Sequence, residues 1–347
     1  MPTIQTTDAQ GLLTKAVAAV YKERISPTAF LRSFFPSKVF PTLELSIEVQ
    51  RGKEKVAADV VRGTDGNRNE FTKSSEKIFI PPYYREWFDA TQLQLYDRLY
   101  GATEINDQIF SAYVNNVVDA QMVVKEKIER AQEIQCAQVL ETGIITLRNG
   151  SIDFKRKADS LVDPGVGNYF ANNIDPFALF EAGCNFIRKS GKTSAVMFNA
   201  ILGSDALTDL LANTKFKERQ NLFNMALDTI AAPQRNATGA SFHGIITAGP
   251  YKVALWSYPQ FYDNASGVST AYVNPKKVTI IPENPNFIMG FAAVPQLITP
   301  NTPPSVGEFI FGEYIDKRSK SHVMDVESAA LALPVAIDTI YTFKAKA

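Results

Sequence analysis

Cysteine, histidine and tryptophan are scarce in this chain, two of each in 347 residues, and acidic and basic residues cancel at 36 apiece. Each shortage excludes something. Cys136 and Cys184 are too few and too far apart for a disulfide framework or a zinc site, and read as buried thiols of a chain made in a reducing cytoplasm. His243 and His322 are too isolated to suggest a metal centre, so no metal or other cofactor is expected. Zero net charge removes the global basic field that non-specific nucleic-acid binding needs, which makes direct DNA binding an improbable main task. No apolar run approaches the roughly 20 residues of a membrane span. The opening MPTIQTTDAQ also lacks the basic-then-apolar order of a signal peptide, so a soluble chain with no membrane partner is expected. Trp87 and Trp256 read as core or interface anchors.

What the chain does have is a long charged arm. Leu43, Leu45, Ile47 and Val49 alternate with polar residues at the strand period of two. Gly63-Thr64-Asp65-Gly66-Asn67 favours a tight reversal, and a return strand from Glu70 to Ile80 stops at Pro81-Pro82, which cannot continue a ladder. Each leg of this 43–88 hairpin could span roughly 50 Å at about 3.3 Å per residue. A two-stranded ribbon is marginal in water by itself, so this one calls for an external surface, such as a neighbouring subunit. The candidate contact residues are its charges, Lys53, Lys55, Arg62, Asp65, Arg68, Glu70, Lys73, Glu76 and Lys77. Phe34 and Phe35 join them as anchors of an extended N-terminal arm, 1–42. Lys73 and Lys77 are ordinary solvated charges, with no call for a covalent link.

Residues Asp107 to Thr142 contain no proline or glycine and meet Gly143, a residue that ends helices. One helix is expected there, with Phe110, Val114, Val117, Val124, Ile128 and Ala131 on its buried face and Lys125, Glu126, Glu129 and Arg130 opposite. At 1.5 Å per residue it runs about 54 Å, against a radius of gyration of about 20 Å for a globule of this length, so it forms a spine. A hairpin across Asn149-Gly150 follows, then a Gly/Pro/Asp/Asn-rich junction from Asp159 to Asn173. Asp175-Pro176 opens a capped helix with the stripe Phe177, Phe180, Cys184 and Ile187, ended by Gly191. A strand at 194–198, a helix from Ser204 and strands at 253–258, 278–281 and 287–292 make an α/β lobe over 173–296. Strands at 308–316, 321–328 and 336–344 are expected to return, within 297–347, to the first lobe, 89–172.

Ser190-Gly191-Lys192-Thr193-Ser194 contains the core of a phosphate-binding loop, which would make the chain a nucleotide-binding enzyme. The reading fails on the residues: Phe186 stands where the first glycine is required, and the segment runs from helix to strand instead of strand to helix.

The order of elements, with PTLELSIEV at 41–49, FTKSSEKIFIPPYYREWFDATQLQ at 71–94 and VESAALALPVAIDTIYTF at 326–343, resembles the major capsid protein E family of lambda-like tailed phages. The resemblance implies an α+β fold of the Hong Kong 97 type. In it the hairpin is the E-loop, the spine helix and closing strands form a peripheral domain, and the inserted lobe is the axial domain. It further implies a non-enzymatic head protein that builds pentamers and hexamers of an icosahedral shell around double-stranded DNA, without sequence specificity. Assembly would take place in the host cytoplasm with a separate scaffolding protein and a portal, and decoration proteins could reinforce the virion. An encapsulin-like shell around enzymes is the alternative, since its subunit would look nearly the same.

Overall fold

The computed structural model describes residues 29–50, 74–91, 107–148, 150–165, 167–172, 174–222, 234–235, 239–264, 266–295, 304–316, 318 and 321–347. The strands and helices up to the junction are β1 (Ser37–Val39), β2 (Leu45–Gln50), β3 (Ser74–Phe79), β4 (Tyr84–Thr91), α1 (Asp107–Glu141), β5 (Ile144–Leu147), β6 (Gly150–Asp153) and β7 (Leu161–Val162). Then come α2 (Pro176–Gly191), β8 (Met197–Leu202), α3 (Ser204–Ala212), α4 (Thr214–Leu222), β9 (Gln234–Arg235), β10 (Ser241–Ala248), β11 (Tyr251–Ser257), β12 (Phe261–Asp263) and β13 (Ser269–Ala271). The chain closes with β14 (Lys277–Pro282), β15 (Ile288–Phe291), β16 (Ile310–Asp316), β17 (Ser321–Ser328), β18 (Ala330–Leu333) and β19 (Tyr341–Lys344).

The spine helix forms within one residue of its expected end. Gly143, at φ +76°, donates its N–H to the carbonyls of Gln138 and Val139, a left-handed stop that a side chain would strain. Val124 and Ile128 are buried as the periodicity predicts, but beyond Ala131 burial spreads to Gln132, Glu133, Gln135, Cys136, Val139 and Leu140. This half of α1 is enclosed nearly all round. Two of its polar side chains are used as fasteners, Glu133 accepting the N–H groups of Leu31 (2.8 Å) and Arg32 (2.9 Å) and Gln135 reaching two strands. Gln135 donates from Nε2 to Tyr84 Oη (2.7 Å) and to the Ala330 carbonyl (3.1 Å), and its Oε1 accepts from Ala332 N–H (3.1 Å).

Arg156 fastens the other end. Its guanidinium donates to the carbonyls of Leu140 (3.0 Å), Glu141 (3.2 Å) and Ser160 (3.0 Å), and to the hydroxyls of Ser160 (2.8 Å) and Thr342 (2.9 Å). A cation thus closes the carbonyl end of α1, where the helix dipole favours positive charge. In the hairpin that follows, Leu147 pairs with Gly150, so the glycine opens the return strand and does not sit at the centre of the turn.

A seven-stranded mixed sheet, in the order β7-β19-β14-β8-β11-β10-β9, forms the main layer. Helix α2 begins as its cap predicts, with Asp175 Oδ1 accepting from Phe177 N–H at 3.0 Å. Its stripe of Phe177, Phe180, Cys184 and Ile187 packs on Phe198, Val253, Val278, Ile280 and Phe343. The other face of the sheet, with Ile201 and Ile281, joins the core around α1. Covered on both sides, β8 and β14 are almost continuously buried, as sheets with two packed faces require.

The structure corrects the expected course of the C-terminus. The final strand, expected over 336–344 in the first lobe, begins at Tyr341 and pairs with β14 and β7 in the seven-stranded sheet. Tyr341 and Phe343 point at α2, and Gly183 leaves the room, because a Cβ there would lie 2.8 Å from the Tyr341 ring. β18, which was not anticipated, pairs with β15 beside β1. β16 and β17 return to β4, in a three-stranded sheet against α1.

Gly203 joins β8 to α3 beneath the 274–275 turn, donating its N–H to the Lys277 carbonyl at 3.0 Å. A Cβ at this position would overlap the carbonyl oxygens of Asn274 and Pro275. Backbone cannot swing aside as a side chain can, so Gly203→Ala is expected to lower unfolding stability by about 3 kcal/mol, the upper range for overpacking. Urea unfolding followed by circular dichroism measures it, and a loss under about 1 kcal/mol would show that the turn yields.

Candidate assembly surface

The arm's root is described, and it is anchored in the core. β2 and β3 pair in register from Leu45 opposite Phe79 to Gln50 opposite Ser74. Leu45 is buried, and its Cδ1 lies 2.7 Å from where a Cβ on Gly290 would sit. Phe79 packs on Phe154 with ring centroids 5.1 Å apart. The strand starts at Leu45, and Leu43 before it is exposed.

Lys53, Lys55, Arg62, Asp65, Arg68, Glu70 and Lys73 lie outside the described residues. Glu76 and Lys77 fall within β3, opposite Glu48 and Ile47. Phe35 is a correction. It is buried in its own chain and stacked on Phe287 at 4.9 Å, so it has no surface to offer a neighbour. Phe34 is half-buried, edge-on to Phe30 at 5.3 Å.

A different surface emerges between the arm and the three-stranded sheet. Ile78 (60% exposed), Ile80 (70%), Tyr83 (50%) and Trp87 (60%) follow one another within ten residues of chain. The reason is strand parity. On β4, Tyr84 and Phe88 face α1 and pack with Val124, Ile128 and Val326, so Arg85, Trp87 and Asp89 must face away. The register places Arg85 beside Glu327 and Ile310, Trp87 beside Asp325 and Gly312, and Asp89 beside Val323 and Tyr314. Both faces of this sheet therefore carry aromatic residues, and only one is covered by the helix.

The outward face is pinned by a charge cluster. Asp325 and Glu327 have side chains only 5% and 8% exposed, strapped by Arg85, whose Nε lies 2.9 Å from Asp325 Oδ2 and 3.0 Å from Glu327 Oε1. Gly312 makes the space for Asp325, since a Cβ there would collide with its Oδ1. The hydrogen bond to Asp325 raises the Arg85 guanidinium above its usual range. Burial, aided by Glu327, pushes the Tyr83 hydroxyl up to about 12, so it stays protonated as a donor. The cluster ties Tyr83 and Arg85 to the acidic pair on β17.

No group of three or more metal-ligating side chains occurs among the described residues. The Ser190–Ser194 segment runs from α2 through Lys192, in the left-handed conformation at φ +55°, into β8. That is the helix-to-strand order anticipated, which provides no amide cradle for a phosphate. No described helix is long and apolar enough to cross a membrane. Sequence reasoning missed the outward ridge because it weighted the arm's charges. The available signal was the two-sided pattern Tyr83-Tyr84-Arg85-Glu86-Trp87-Phe88.

The family model described as phage major capsid protein E matches residues 13–345 of the chain. None of the curated proteins compared with the chain matches it. Among solved structures, the putative capsid protein of a prophage of E. coli CFT073 superposes with a TM-score of 0.61 at 15% identity, covering 92% of this chain and 93% of that one. A phage-related protein from Bordetella bronchiseptica RB50 gives 0.51 at 12% identity, covering 92% of each chain. A protein of Mycobacterium phage Ogopogo gives 0.50 at 11% identity, covering 96% of each. At these identities the likeness speaks for the fold, that of the Hong Kong 97-type capsid proteins.

Proposed function

The chain belongs to the phage major capsid protein E family, a structural family of the virion shell, and from that we propose that its copies assemble as pentamers and hexamers of an icosahedral shell enclosing double-stranded DNA. In this reading 43–88 is the E-loop reaching over a neighbour, α1 with β4, β16 and β17 forms the peripheral plate, and the α2 lobe is the axial domain. The subunit does no chemistry. A separate scaffolding protein, a portal and possible decoration proteins complete the particle, which is assembled in the host cytoplasm.

The observation that carries this reading is the ridge Ile78–Ile80–Tyr83–Trp87, four large apolar side chains each at least half exposed within ten residues of chain. Large apolar side chains grouped at one surface beside buried ion pairs suit a protein contact. A head-to-tail contact with other copies closes into rings when the rotation per copy permits.

Negative-stain electron microscopy of the purified chain, alone and with its scaffolding protein, tests the proposal. Five- and six-membered rings or closed shells are expected. A dispersed monomer under every condition would overturn it, and shells holding a cargo enzyme in place of DNA would favour a compartment.

A further inference from the structure

A cleft lies between the second half of the spine helix and the β12–β13 ribbon. Ile134, Ala137, Gln138 and Glu141 form one wall, with Tyr262 on β12 and Tyr272 after β13 across from them, around a volume of about 310 Å³. One end is fixed, because Glu141 Oε1 accepts from Lys277 Nζ at 2.7 Å and from Asn274 Nδ2 at 3.1 Å. A smaller recess bounded by Leu31, Leu140 and Ile201 shares Ala137, Glu141 and Tyr272 with the cleft and continues it inward. Among the described strands β12 and β13 pair only with each other, and a two-stranded ribbon is marginal in water without a surface to pack on. The volume stands at the low end of ligand clefts, roughly 300–1,000 Å³, which suits a few side chains and is too small for a folded partner.

The chain enters the subunit beside this cleft. Ala29 is exposed, whereas Phe30 and Leu31 are buried. Phe30 packs on Tyr258 at 5.5 Å, Tyr258 on Tyr272 at 5.8 Å and Tyr272 on Tyr262 at 4.9 Å, so a run of aromatic rings leads from the point of entry into the cleft wall. The residues ahead of Ala29 lie outside the described ones, but their sequence holds an apolar stripe. Leu13, Ala16, Val17 and Val20 fall at i, i+3, i+4 and i+7, the spacing of one helix face, and Lys15 is the only charge in 12–21. A helix so short is marginal in water unless a surface takes its apolar face.

We propose that residues 12–21 seat this stripe in the cleft of their own subunit. The lengths agree: Leu13 to Val20 spans about 10 Å at 1.5 Å per residue in a helix, as does Ile134 to Glu141 on α1. The intervening residues 22–28 reach about 25 Å when extended. A link that short holds the segment at an effective concentration of about a millimolar, above that of a second copy in dilute solution. The occupant is therefore the same chain. The family match begins at residue 13, so the stripe lies within the matched unit. This docking belongs to the unassembled subunit and stands or falls independently of shell formation.

Hydrogen–deuterium exchange of the full-length, unassembled chain tests it. In Leu13→Asp combined with Val17→Asp, amides of β12 and β13 are expected to lose about tenfold in protection, with those of β8 and β14 unchanged. Equal protection of the ribbon in the altered and unaltered chains overturns the docking. A benzophenone side chain placed at position 17 of the otherwise unaltered chain gives a second reading that does not depend on how the double variant folds. Illumination is expected to join it to residues 134–141 or 262–275 of the same chain. Adducts between two chains would make a second copy the occupant, and adducts elsewhere, or none, would leave the cleft to a different partner; each of these overturns the proposal.

Discussion

Arg156→Met is expected to destabilise the folded subunit by about 4 kcal/mol, one of the largest losses available from a single side chain outside the apolar core. The substitution keeps most of the stem and removes the donor fork. Three carbonyls, of Leu140, Glu141 and Ser160, then lose a charged donor in a place where most of the guanidinium is buried. The Leu140 carbonyl keeps the Thr342 hydroxyl as a donor at 3.1 Å, so the larger losses fall on Glu141 and Ser160; orphaning a buried acceptor costs about 1–3 kcal/mol each, partly relieved wherever water enters. Burial pulls the guanidinium pKa down, but arginine remains charged at neutral pH, so its desolvation already weighs against the native state there. That offset is why the expected loss is about 4 kcal/mol and not the full sum. Arg156→Lys should recover about half, having charge but no fork. Because Arg156 joins the end of α1 to Ser160 and to Thr342 of β19, the loss should appear in one cooperative transition. Urea unfolding with an unchanged slope reads it, and a midpoint shift worth under about 1 kcal/mol would mean the carbonyls rehydrate freely.

The same residue shows what sequence could and could not convey. The spine helix was legible almost to the residue, because a stretch without proline or glycine that ends at Gly143 leaves few alternatives. Helix α2 was legible from Asp175-Pro176 and its four-residue stripe. The Gly249-Pro250 turn that joins β10 to β11 is local in the same way. These features are local, written in neighbours three or four residues apart. Arg156, Glu133 and Gln135 act across roughly 15 to 200 residues of chain, and nothing in their own neighbourhoods names the partner. Periodicity likewise shows that Tyr341 and Phe343 share a face, but not that α2 lies against it. Phe35 was misassigned for that reason. An aromatic before a proline in an extended segment looks the same whether Phe287 or a second chain covers it. The ridge was overlooked for a related reason: a strand with aromatic residues on both faces predicts burial on both, and only topology shows that α1 covers just one.

The second large effect concerns that uncovered face. Ile80→Asp combined with Trp87→Lys is expected to yield a folded subunit that forms neither rings nor shells at concentrations where the unaltered chain does. Both side chains are mostly in water in the isolated subunit, so folding stability should change by no more than about 0.5 kcal/mol. Burying such side chains at a contact contributes about 1.5–3 kcal/mol each at full burial, less for the part already covered. Losing about 3 kcal/mol per contact reduces pairwise association roughly 150-fold, and a closed ring repeats that loss at every joint. Introducing charge adds the expense of desolvating it against whatever the neighbour presents. Arg85, Asp325 and Glu327 are left intact, so the sheet beneath keeps its ion pairs. Sedimentation velocity reads the assembly state, and circular dichroism under urea confirms the fold. Shells forming at the usual concentration would move the contact off the ridge and back toward the charged arm. A variant that fails to fold would instead show Trp87 and Ile80 to be structural, contrary to their exposure. A folded monomer is the one outcome that assigns the ridge to the joint between copies.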